Sequence, residues 1–352
     1  MKYALLLLIA VASQSVFAQK TALTDKWRSG IIKDEFIYEK APFPSCHSAT
    51  LAETTSGGLV YAFFGGTHER NPDVEIYVCR LVDGQWTAPQ SVADGVQPDG
   101  KRLPCWNPVL FQIPDGDLIL FYKVGPKPSE WWGLTKTSKD GGKTWSEPTK
   151  LPTSSVGIGP VKNKPELLSN GNLMCPSSTE GDGWKVHFEV TPDFGKTWRK
   201  VGPLDWGKDS IMAIQPSILD HGNGKLQILC RSRSRAIATA WSYDNGETWT
   251  ALSKTSLPNN NSGTDAVTMK DGRHVLVYNH VLPPGDLAKG PRTPLNVSVS
   301  KDGVKWKAAL ILEDSPISQY SYPAVIQTKD GLLHFAYTWR RQKMKHVVVD
   351  PS

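Results

Sequence analysis

The chain repeats one short motif at a regular interval. The segment Ser138–Trp145, which reads Ser-Lys-Asp-Gly-Gly-Lys-Thr-Trp, recurs as Thr191–Trp198 and Ser242–Trp249, with a shortened copy at Ser300–Trp306 and a worn one at Val82–Trp86. The starts of the four clearest copies are 51 to 58 residues apart. A period of about 50 residues is typical of architectures in which small units stack on one another. In such a turn, the Asp-box, the Asp accepts backbone hydrogen bonds, the Gly adopts a left-handed conformation and the Trp packs between sheets.

A second pattern keeps the same period. An apolar run, a glycine-containing turn and another apolar run occur around Gly58, Gly116, Gly171, Gly224, Gly272 and Gly331. Each instance predicts a β-hairpin. A four-stranded sheet cannot bury both faces alone, so we expect six such sheets to stack around an axis. The sequence therefore predicts an all-β fold, a six-bladed β-propeller with Asp-box turns.

The sixth repeat is incomplete. It contains strand patterns near 323–327, 332–337 and 345–349, and the sequence then ends without an Asp-box or a fourth strand. The segment 31–38, ahead of the first hairpin, is the natural source of that strand. Pairing it with the last repeat closes the ring and removes an exposed strand edge. We predict a single domain over residues 19–352.

The N-terminus has the pattern of a cleavable signal peptide. Lys2 precedes an apolar run from Ala4 to Ala12, and Val16-Phe17-Ala18 offers small residues for cleavage. The run is too short to span a bilayer. We predict a signal peptide over residues 1–18, a periplasmic or secreted mature protein without membrane insertion, and a monomer.

Charge and cysteine content narrow the partners. The formal net charge of +6 is not clustered, which argues against nucleic acid and is compatible with an acidic oligosaccharide or polysaccharide. No Cys/His spacing resembles a zinc site, so we predict no metal and no cofactor. The chain has five cysteines, an odd number that leaves at least one thiol free. Cys46 and Cys105 occupy the same point in consecutive repeats, which leaves open a disulfide between neighbouring blades.

Polar side chains recur where the inner strands of a propeller meet the mouth, the opening of the central channel. Residues at the start of each innermost strand and at the end of the next strand face this mouth. The rule selects Cys46, His47, Glu69, Arg70, Asp73, Trp106, Asn107, Lys123, Asn163, Lys164, Glu180, Gln215, Arg231, Arg233, Arg235, Asp265, Asn279, His280, Arg292, Tyr320, Tyr322, Trp339 and Arg340. Convergence of so many polar groups in a concavity predicts the functional site there.

Several segments resemble a known family. Segments 45–50, 64–69, 105–108, 162–165 and 278–280 are similar to parts of the bacterial sialidase-like proteins with Asp-box (BNR) repeats, the predicted-neuraminidase group. Sialidases are six-bladed propellers that hold the substrate carboxylate with three arginines. Their nucleophile is a tyrosine activated by a glutamate, and an aspartate is the acid/base.

The resemblance implies roles for individual residues and also shows departures. Arg231 resembles the second arginine, Arg292 the third and Tyr320 the nucleophile. Cys46-His47 stands where the first arginine is expected, and Gln215 stands where the activating glutamate is expected. A neutral amide cannot take the tyrosine proton.

Three functions follow from these residues as hypotheses. The first is an exo-acting, sialidase-like glycoside hydrolase on carboxylate-bearing glycans, in which Arg231 and Arg292 bind the carboxylate and Tyr320 attacks the anomeric carbon. Glu69 or Asp73 would protonate the leaving oxygen. The second is a lyase on uronic-acid polysaccharides, with His47, His280 or Tyr320 as base and acid. The third is a propeller that only binds glycans. The remaining candidates for substrate binding are Gln215, His280, Asn107, Trp106, Lys164 and Arg340.

Overall fold

The computed structural model describes residues 25–152 and 157–352. The predicted signal peptide lies outside the described residues. Within the described part of the chain, no helix is long and apolar enough to cross a membrane.

The described residues form one short 3₁₀ helix, Arg28–Gly30, and 25 strands. The N-terminal strand is β1 (Ile31–Phe36), and the first blade contains β2 (Ser45–Glu53), β3 (Leu59–Gly66), β4 (Glu75–Val82), β5 (Gln85–Trp86) and β6 (Gln90–Ala93). The second and third blades contain β7 (Cys105–Gln112), β8 (Leu118–Val124), β9 (Trp132–Ser138), β10 (Thr149–Lys150), β11 (Glu166–Leu167), β12 (Leu173–Thr179), β13 (Lys185–Thr191) and β14 (Arg199–Val201). The fourth and fifth contain β15 (Ala213–Asp220), β16 (Leu226–Ser232), β17 (Ala236–Ser242), β18 (Ser253–Pro258), β19 (Asp265–Thr268), β20 (His274–Tyr278), β21 (Leu295–Ser300) and β22 (Trp306–Glu313). The sixth contains β23 (Tyr320–Gln327), β24 (Leu333–Trp339) and β25 (Lys343–Val349).

These strands pair into six antiparallel sheets, one for each sequence repeat. The first strand of each repeat lies at one edge of its sheet, and β2 contacts β7 and β23, while β19 contacts β15 and β23. In the third blade it is β12 that contacts β15. The predicted six-bladed β-propeller is confirmed. In the sixth blade, β1 pairs with β25 from Ile31 opposite Val349 to Phe36 opposite Lys345. The N-terminal strand is therefore the outer strand of the last blade.

The core lies between the blades, and alternate residues of one strand serve two different interfaces. In β8, Leu118 and Leu120 pack toward the first blade, whereas Ile119 and Phe121 pack with Leu173 of the third. This follows from the two-residue period of side chains along a strand. It also explains why the repeats read as continuous apolar runs, because both faces of the strand are buried.

The Asp-box turns satisfy their own hydrogen bonds on the outer rim. Asp193 Oδ1 accepts hydrogen bonds from the backbone N–H groups of Lys196 (3.0 Å) and Thr197 (2.8 Å). These bonds, together with the Thr197 hydroxyl, lower the pKa of Asp193 to about 2. The Trp of the next turn, Trp249, stacks on Phe188 of the preceding blade with ring centroids 4.5 Å apart. Each such turn thus closes a hairpin and also packs against its neighbour.

The worn copy at 82–86 has a different structure. Asp83 and Gly84 have φ values of 50° and 78° and form a two-residue turn between β4 and β5. Two successive left-handed residues are characteristic of a tight β-hairpin turn. Trp86 nonetheless packs against His346 of the sixth blade, with ring centroids 5.3 Å apart. The packing role of the tryptophan is kept without the Asp-centred hydrogen bonds.

The disulfide left open by the sequence is absent, because all five cysteines are free and buried. Cys46 packs with Tyr38, whose hydroxyl lies 3.2 Å from its Sγ, and Cys105 belongs to a different interface between blades. Burial raises the pKa of Cys46 to about 12. Equivalent points in consecutive blades face different interfaces, so the two thiols do not meet.

Candidate functional site

Four innermost strands carry an irregularity at an equivalent point. The pairing register shifts in β2, β7, β15 and β23. The residue at each shift has a positive φ: 65° for Ser48, 34° for Asn107, 58° for Gln215 and 52° for Tyr322. A bulge of this kind bends the strand and redirects a side chain. Proline follows three of the four residues, and it has no N–H to donate to the neighbouring strand.

A cavity of about 660 Å³ lies at the mouth. It is lined from all six blades by Glu69, Arg70, Pro128, Glu180, Trp184, Arg231, Arg233, Asn261, Ala288, Lys289, Arg292, Tyr322 and Arg341. The loops after β3, β12, β16 and β20 supply most of these residues. Arg231 and Tyr322 come from the strands β16 and β23 themselves. Residues far apart in sequence therefore share one opening.

Tyr322 is the point at which the polar side chains of the cavity converge. Arg231 Nη1 donates a hydrogen bond to the Tyr322 hydroxyl oxygen at 3.0 Å, and Gln215 Nε2 donates another at 3.1 Å. The guanidinium carbon of Arg292 lies 5.5 Å from the centre of the Tyr322 ring. Arg231 is itself held by Asn261, whose Oδ1 accepts from Nε at 2.9 Å. The phenol oxygen is thus fixed by two donors beside a second guanidinium.

The inner part of the cavity is strongly positive. Burial, Arg231 and Arg341 lower the pKa of Arg292 to about 10, although the Tyr322 side chain opposes them, and the guanidinium stays charged at neutral pH. Arg341 Nη1 lies 2.8 Å from a carboxylate oxygen of Glu69. Three guanidinium groups therefore line the cavity together with Tyr322, and one of them is paired with a carboxylate.

Glu180 is the second carboxylate of the lining. Burial raises its pKa, while Arg231 and Arg233 act in the opposite direction. It forms no ion pair within 4 Å with the described residues, in contrast to Glu69. A carboxyl group with a raised pKa keeps its proton to higher pH, which is what a proton donor needs.

Two buried residues support Tyr322 from the side away from the cavity. The His47 ring centroid lies 4.1 Å from that of Tyr322, and its Nδ1 is hydrogen-bonded to Thr338 Oγ1 at 2.9 Å. Burial and the nearby cations keep the pKa of His47 well below its ordinary value, so the imidazole is neutral. Lys162 Nζ donates to the Thr264 carbonyl oxygen at 3.0 Å and also to that of Pro323. Burial lowers the pKa of Lys162 to about 7.

Tyr320 is not at the cavity, contrary to the sequence prediction. Its side chain is 1% exposed and belongs to the core between the fifth and sixth blades. Its hydroxyl accepts a hydrogen bond from Arg340 Nη2 at 3.1 Å. The residue that meets Arg231 and Arg292 is Tyr322. The signal that identifies it is the proline that follows three of the four bulge residues, because Tyr322-Pro323 matches Gln215-Pro216.

Of the other predicted catalytic residues, one lies at the cavity and two do not. Glu69 lines the cavity. His47 lies beneath the lining, where it is 1% exposed, and its Nε2 has no hydrogen-bond partner among the described residues. Asp73 is used in its own loop, since both of its oxygens accept from the Thr67 N–H at 3.1 Å. The placement expected for His47 and Asp73 is therefore wrong.

Some of the predicted binding residues lie at the cavity and others do not. Arg231 and Arg292 line the cavity, and Gln215 reaches it through Tyr322. The others lie outside the lining. Trp106 Nε1 donates to the Gly125 carbonyl oxygen, and Lys164 forms an ion pair with the buried Asp265 at 3.0 Å. Arg340 stacks on Trp339, and Asn107 is buried in its bulge. His280 is exposed and is hydrogen-bonded to the Tyr278 hydroxyl.

Glu180 and Arg341 are among the lining residues for which the sequence predicts no role. Glu180 was among the residues expected at the mouth, but nothing in the sequence marks its burial. Arg341 follows Arg340 in the turn between β24 and β25, where both have positive φ values of 53° and 61°. Side chains in such a turn do not alternate between two faces as they do along a strand, so the sequence does not indicate which of the two arginines enters the cavity. Among the described residues, no group of three or more His, Cys, Asp or Glu side chains is placed to hold a metal ion.

Comparison with known proteins places the chain in context. Residues 57–335 match the model of the BNR repeat-like domain. A sialidase of Clostridium perfringens is 26% identical over 216 residues, which cover 49% of this chain and 56% of that protein. An anhydrosialidase of Macrobdella decora is 24% identical over 259 residues, which cover 65% of this chain and 33% of that protein. The intramolecular trans-sialidase of Ruminococcus gnavus, solved with oseltamivir carboxylate, superposes with a TM-score of 0.70 at 16% identity and covers 92% of this chain and 98% of that one.

Proposed function

The chain belongs to the BNR repeat-like family, and on that premise we propose that it is an exo-acting glycoside hydrolase that releases a terminal, carboxylate-bearing sugar from a glycan. The observation that carries the proposal is the convergence of Arg231, Arg292 and Tyr322 from three blades on one cavity. The buried His47 and Lys162 close the space behind Tyr322, and a closed pocket favours a chain end. The predicted signal peptide supports action outside the cytoplasm, and we propose that the protein acts there as a monomer.

The sugar carboxylate would bind between the guanidinium groups. Arg231 and Arg292 offer the planar, paired donors that recognise a carboxylate through two parallel hydrogen bonds. Arg341 supplies the third cation. Its carbonyl oxygen accepts from the Cys46 N–H at 2.8 Å, so it lies next to the segment where the sequence has Cys46-His47 instead of an arginine. A neighbouring turn thereby restores the missing charge.

Bond cleavage would use Tyr322 and the two carboxyl groups of the cavity. In the first step, Glu180 donates its proton to the glycosidic oxygen as the bond to the anomeric carbon breaks. The Tyr322 oxygen bonds to that carbon, and its proton passes to the Glu69 carboxylate, directly or through one water. In the second step, water attacks the anomeric carbon and gives a proton to Glu180. Tyr322 leaves and regains its proton from Glu69.

Gln215 favours a lyase on uronic-acid glycans as the second candidate. Gln215 and Arg231 both donate to the Tyr322 oxygen, an arrangement that holds this oxygen in place to act as a base once deprotonated. It would remove the proton from the carbon next to a uronate carboxylate held by Arg292, and the bond from the neighbouring carbon to the glycosidic oxygen would break as a double bond forms between the two carbons. Glu180 would donate its proton to the leaving oxygen. The histidines first considered for this chemistry do not line the cavity, which leaves Tyr322 as the base.

Turnover assays separate the candidates. The mature protein is incubated with sialosides and with oligosaccharides that end in uronic acids, while new reducing ends and absorbance near 235 nm are followed. A hydrolase produces reducing ends without absorbance, whereas a lyase produces both. Binding without either product contradicts both enzymatic proposals and leaves the glycan-binding hypothesis. Loss of turnover in Tyr322→Phe, but not in Tyr320→Phe, assigns the activity to this cavity.

A further inference from the structure

The cavity holds more positive charge than one carboxylate needs. Its lining contains six cationic side chains, Arg70, Arg231, Arg233, Lys289, Arg292 and Arg341, against the carboxylates of Glu69 and Glu180. Arg231 and Arg292 contact Tyr322, and Arg341 is paired with Glu69. The other three are exposed, and none forms an ion pair within 4 Å with the residues that the structure describes. These three form the outer part of the cavity.

Arg233 is held in place by its neighbours. It follows Arg231 by two residues at the end of β16, so both side chains leave the strand on the same side. The guanidinium carbons of Arg231 and Arg233 lie 5.0 Å and 4.3 Å from the centre of the Trp184 ring. Trp184 is only 4% exposed and is a fixed platform for both. A second guanidinium therefore stands beside the first, nearer the solvent.

Lys289 is presented by a loop that is tied to the rim of the cavity. Arg235 Nη2 donates to the Pro283 carbonyl oxygen at 2.8 Å. Asn261 Nδ2 donates to the carbonyl oxygen of Ala288, the residue before Lys289, at 2.9 Å. Hydrogen bonds at both ends of this segment fix where the lysine emerges. Its charge is aimed at the cavity by the fold and does not depend on a mobile loop.

We propose that Arg233 and Lys289, with Arg70 on the first blade, form a second anion subsite. It would bind a further anionic group of the same glycan, a sulfate ester or a second carboxylate, next to the sugar whose carboxylate is held by Arg231 and Arg292. Guanidinium and ammonium groups recognise both kinds of oxyanion. The substrate class is then a glycan that carries at least two anionic groups at the end that is cleaved. This inference rests on the proposed role of the inner arginines.

Calorimetric titration with matched ligands tests the subsite. The probes are a chondroitin disaccharide with one carboxylate, the same disaccharide with a sulfate, galacturonic acid, and digalacturonic acid. The wild-type protein is compared with the double variant Arg233→Gln/Lys289→Gln. The control is Lys40→Gln/Lys208→Gln, which removes two exposed cations outside the cavity lining. Melting temperatures show whether each variant is folded.

The subsite predicts a clear pattern. In the wild type and the control, the ligand with the additional anionic group binds about tenfold more tightly than its partner, and salt reduces the difference. The Arg233/Lys289 double variant loses the difference and keeps the affinity for the singly charged ligands. If the wild type binds both members of each pair equally well, the second subsite is wrong and the proposed function stands. If the wild type binds none of the four ligands and neither binds nor cleaves a sialoside, both proposals are contradicted.

Discussion

The outer rim and the mouth of this propeller both repeat from blade to blade, but they repeat in opposite ways. On the rim the residues themselves recur: Asp193, Asp244 and Asp302 each accept hydrogen bonds from their own turn. At the mouth only the position recurs, because the bulges of four inner strands carry four different residue types, among them Gln215 and Tyr322.

The difference extends to how polar groups are satisfied. Each Asp-box is complete within one turn, whereas Gln215 Oε1 and His47 Nε2 are buried without a partner among the described residues. Unpaired buried polar atoms cost free energy, and natural proteins keep them mainly where function requires them. Positions at which the same residue recurs from blade to blade therefore belong to the scaffold. Positions that recur with different residues belong to the candidate site.

Tyr322→Phe against Tyr320→Phe gives the largest expected contrast. Loss of the Tyr322 hydroxyl removes the group that two donors fix at the cavity, and we expect kcat to fall about 1000-fold. Tyr320→Phe removes a hydroxyl whose one hydrogen-bond partner among the described residues is Arg340, and kcat should stay near the wild-type value. Steady-state kinetics on the substrate found by the turnover assays measure both. The reverse ranking would restore Tyr320 as the reactive residue.

Arg292→Ala against Arg340→Ala tests the carboxylate site. Arg292 faces the cavity, and its removal takes away a charge-assisted contact in a half-buried place, so the dissociation constant of an acidic sugar should rise about 100-fold. Arg340 stacks on Trp339 outside the lining and should leave that constant unchanged. Titration with the released sugar gives both values. Equal effects would show that the anion binds elsewhere.

Glu180→Gln tests the proton donor through the pH profile. Glu180 acts in its protonated form, and burial raises its pKa, so activity should fall as pH rises through that raised value. The amide cannot donate the proton, and kcat should drop about 100-fold and lose this alkaline limb. An unchanged alkaline limb in Glu180→Gln would assign the donor to another group.

Asp193→Ala tests the rim and has the smallest expected effect on activity. The substitution leaves the turn donors unpaired, so the melting temperature should fall by a few degrees while kcat/KM at 25 °C stays unchanged. Because the pKa of Asp193 is depressed from 3.8 to about 2, its contribution to stability is present above pH 4 and is lost as pH falls toward 2. The variant should lack that part of the acid dependence in thermal unfolding. A large loss of activity would contradict the structural role of these turns.

Much of the fold was readable from the sequence, and the site only in part. Glycine-centred hairpins at a fixed interval are enough to predict six blades, because each is a local signal. The positions of Arg231 and Arg292 also follow from that period. The resemblance points to Tyr320, whereas the bulge between Ser321 and Ala324 places Tyr322 in the cavity. Whether Lys164 meets substrate or the buried Asp265 depends on contacts between three blades, which no local pattern reveals.

A crystal structure with a bound acidic sugar tests the shared anion pocket most directly. Crystals soaked with N-acetylneuraminic acid or glucuronic acid should show the carboxylate within hydrogen-bond distance of Arg231 and Arg292, with the anomeric carbon facing the Tyr322 hydroxyl. A sugar bound elsewhere on the propeller, with these three side chains not contacting it, would contradict the account.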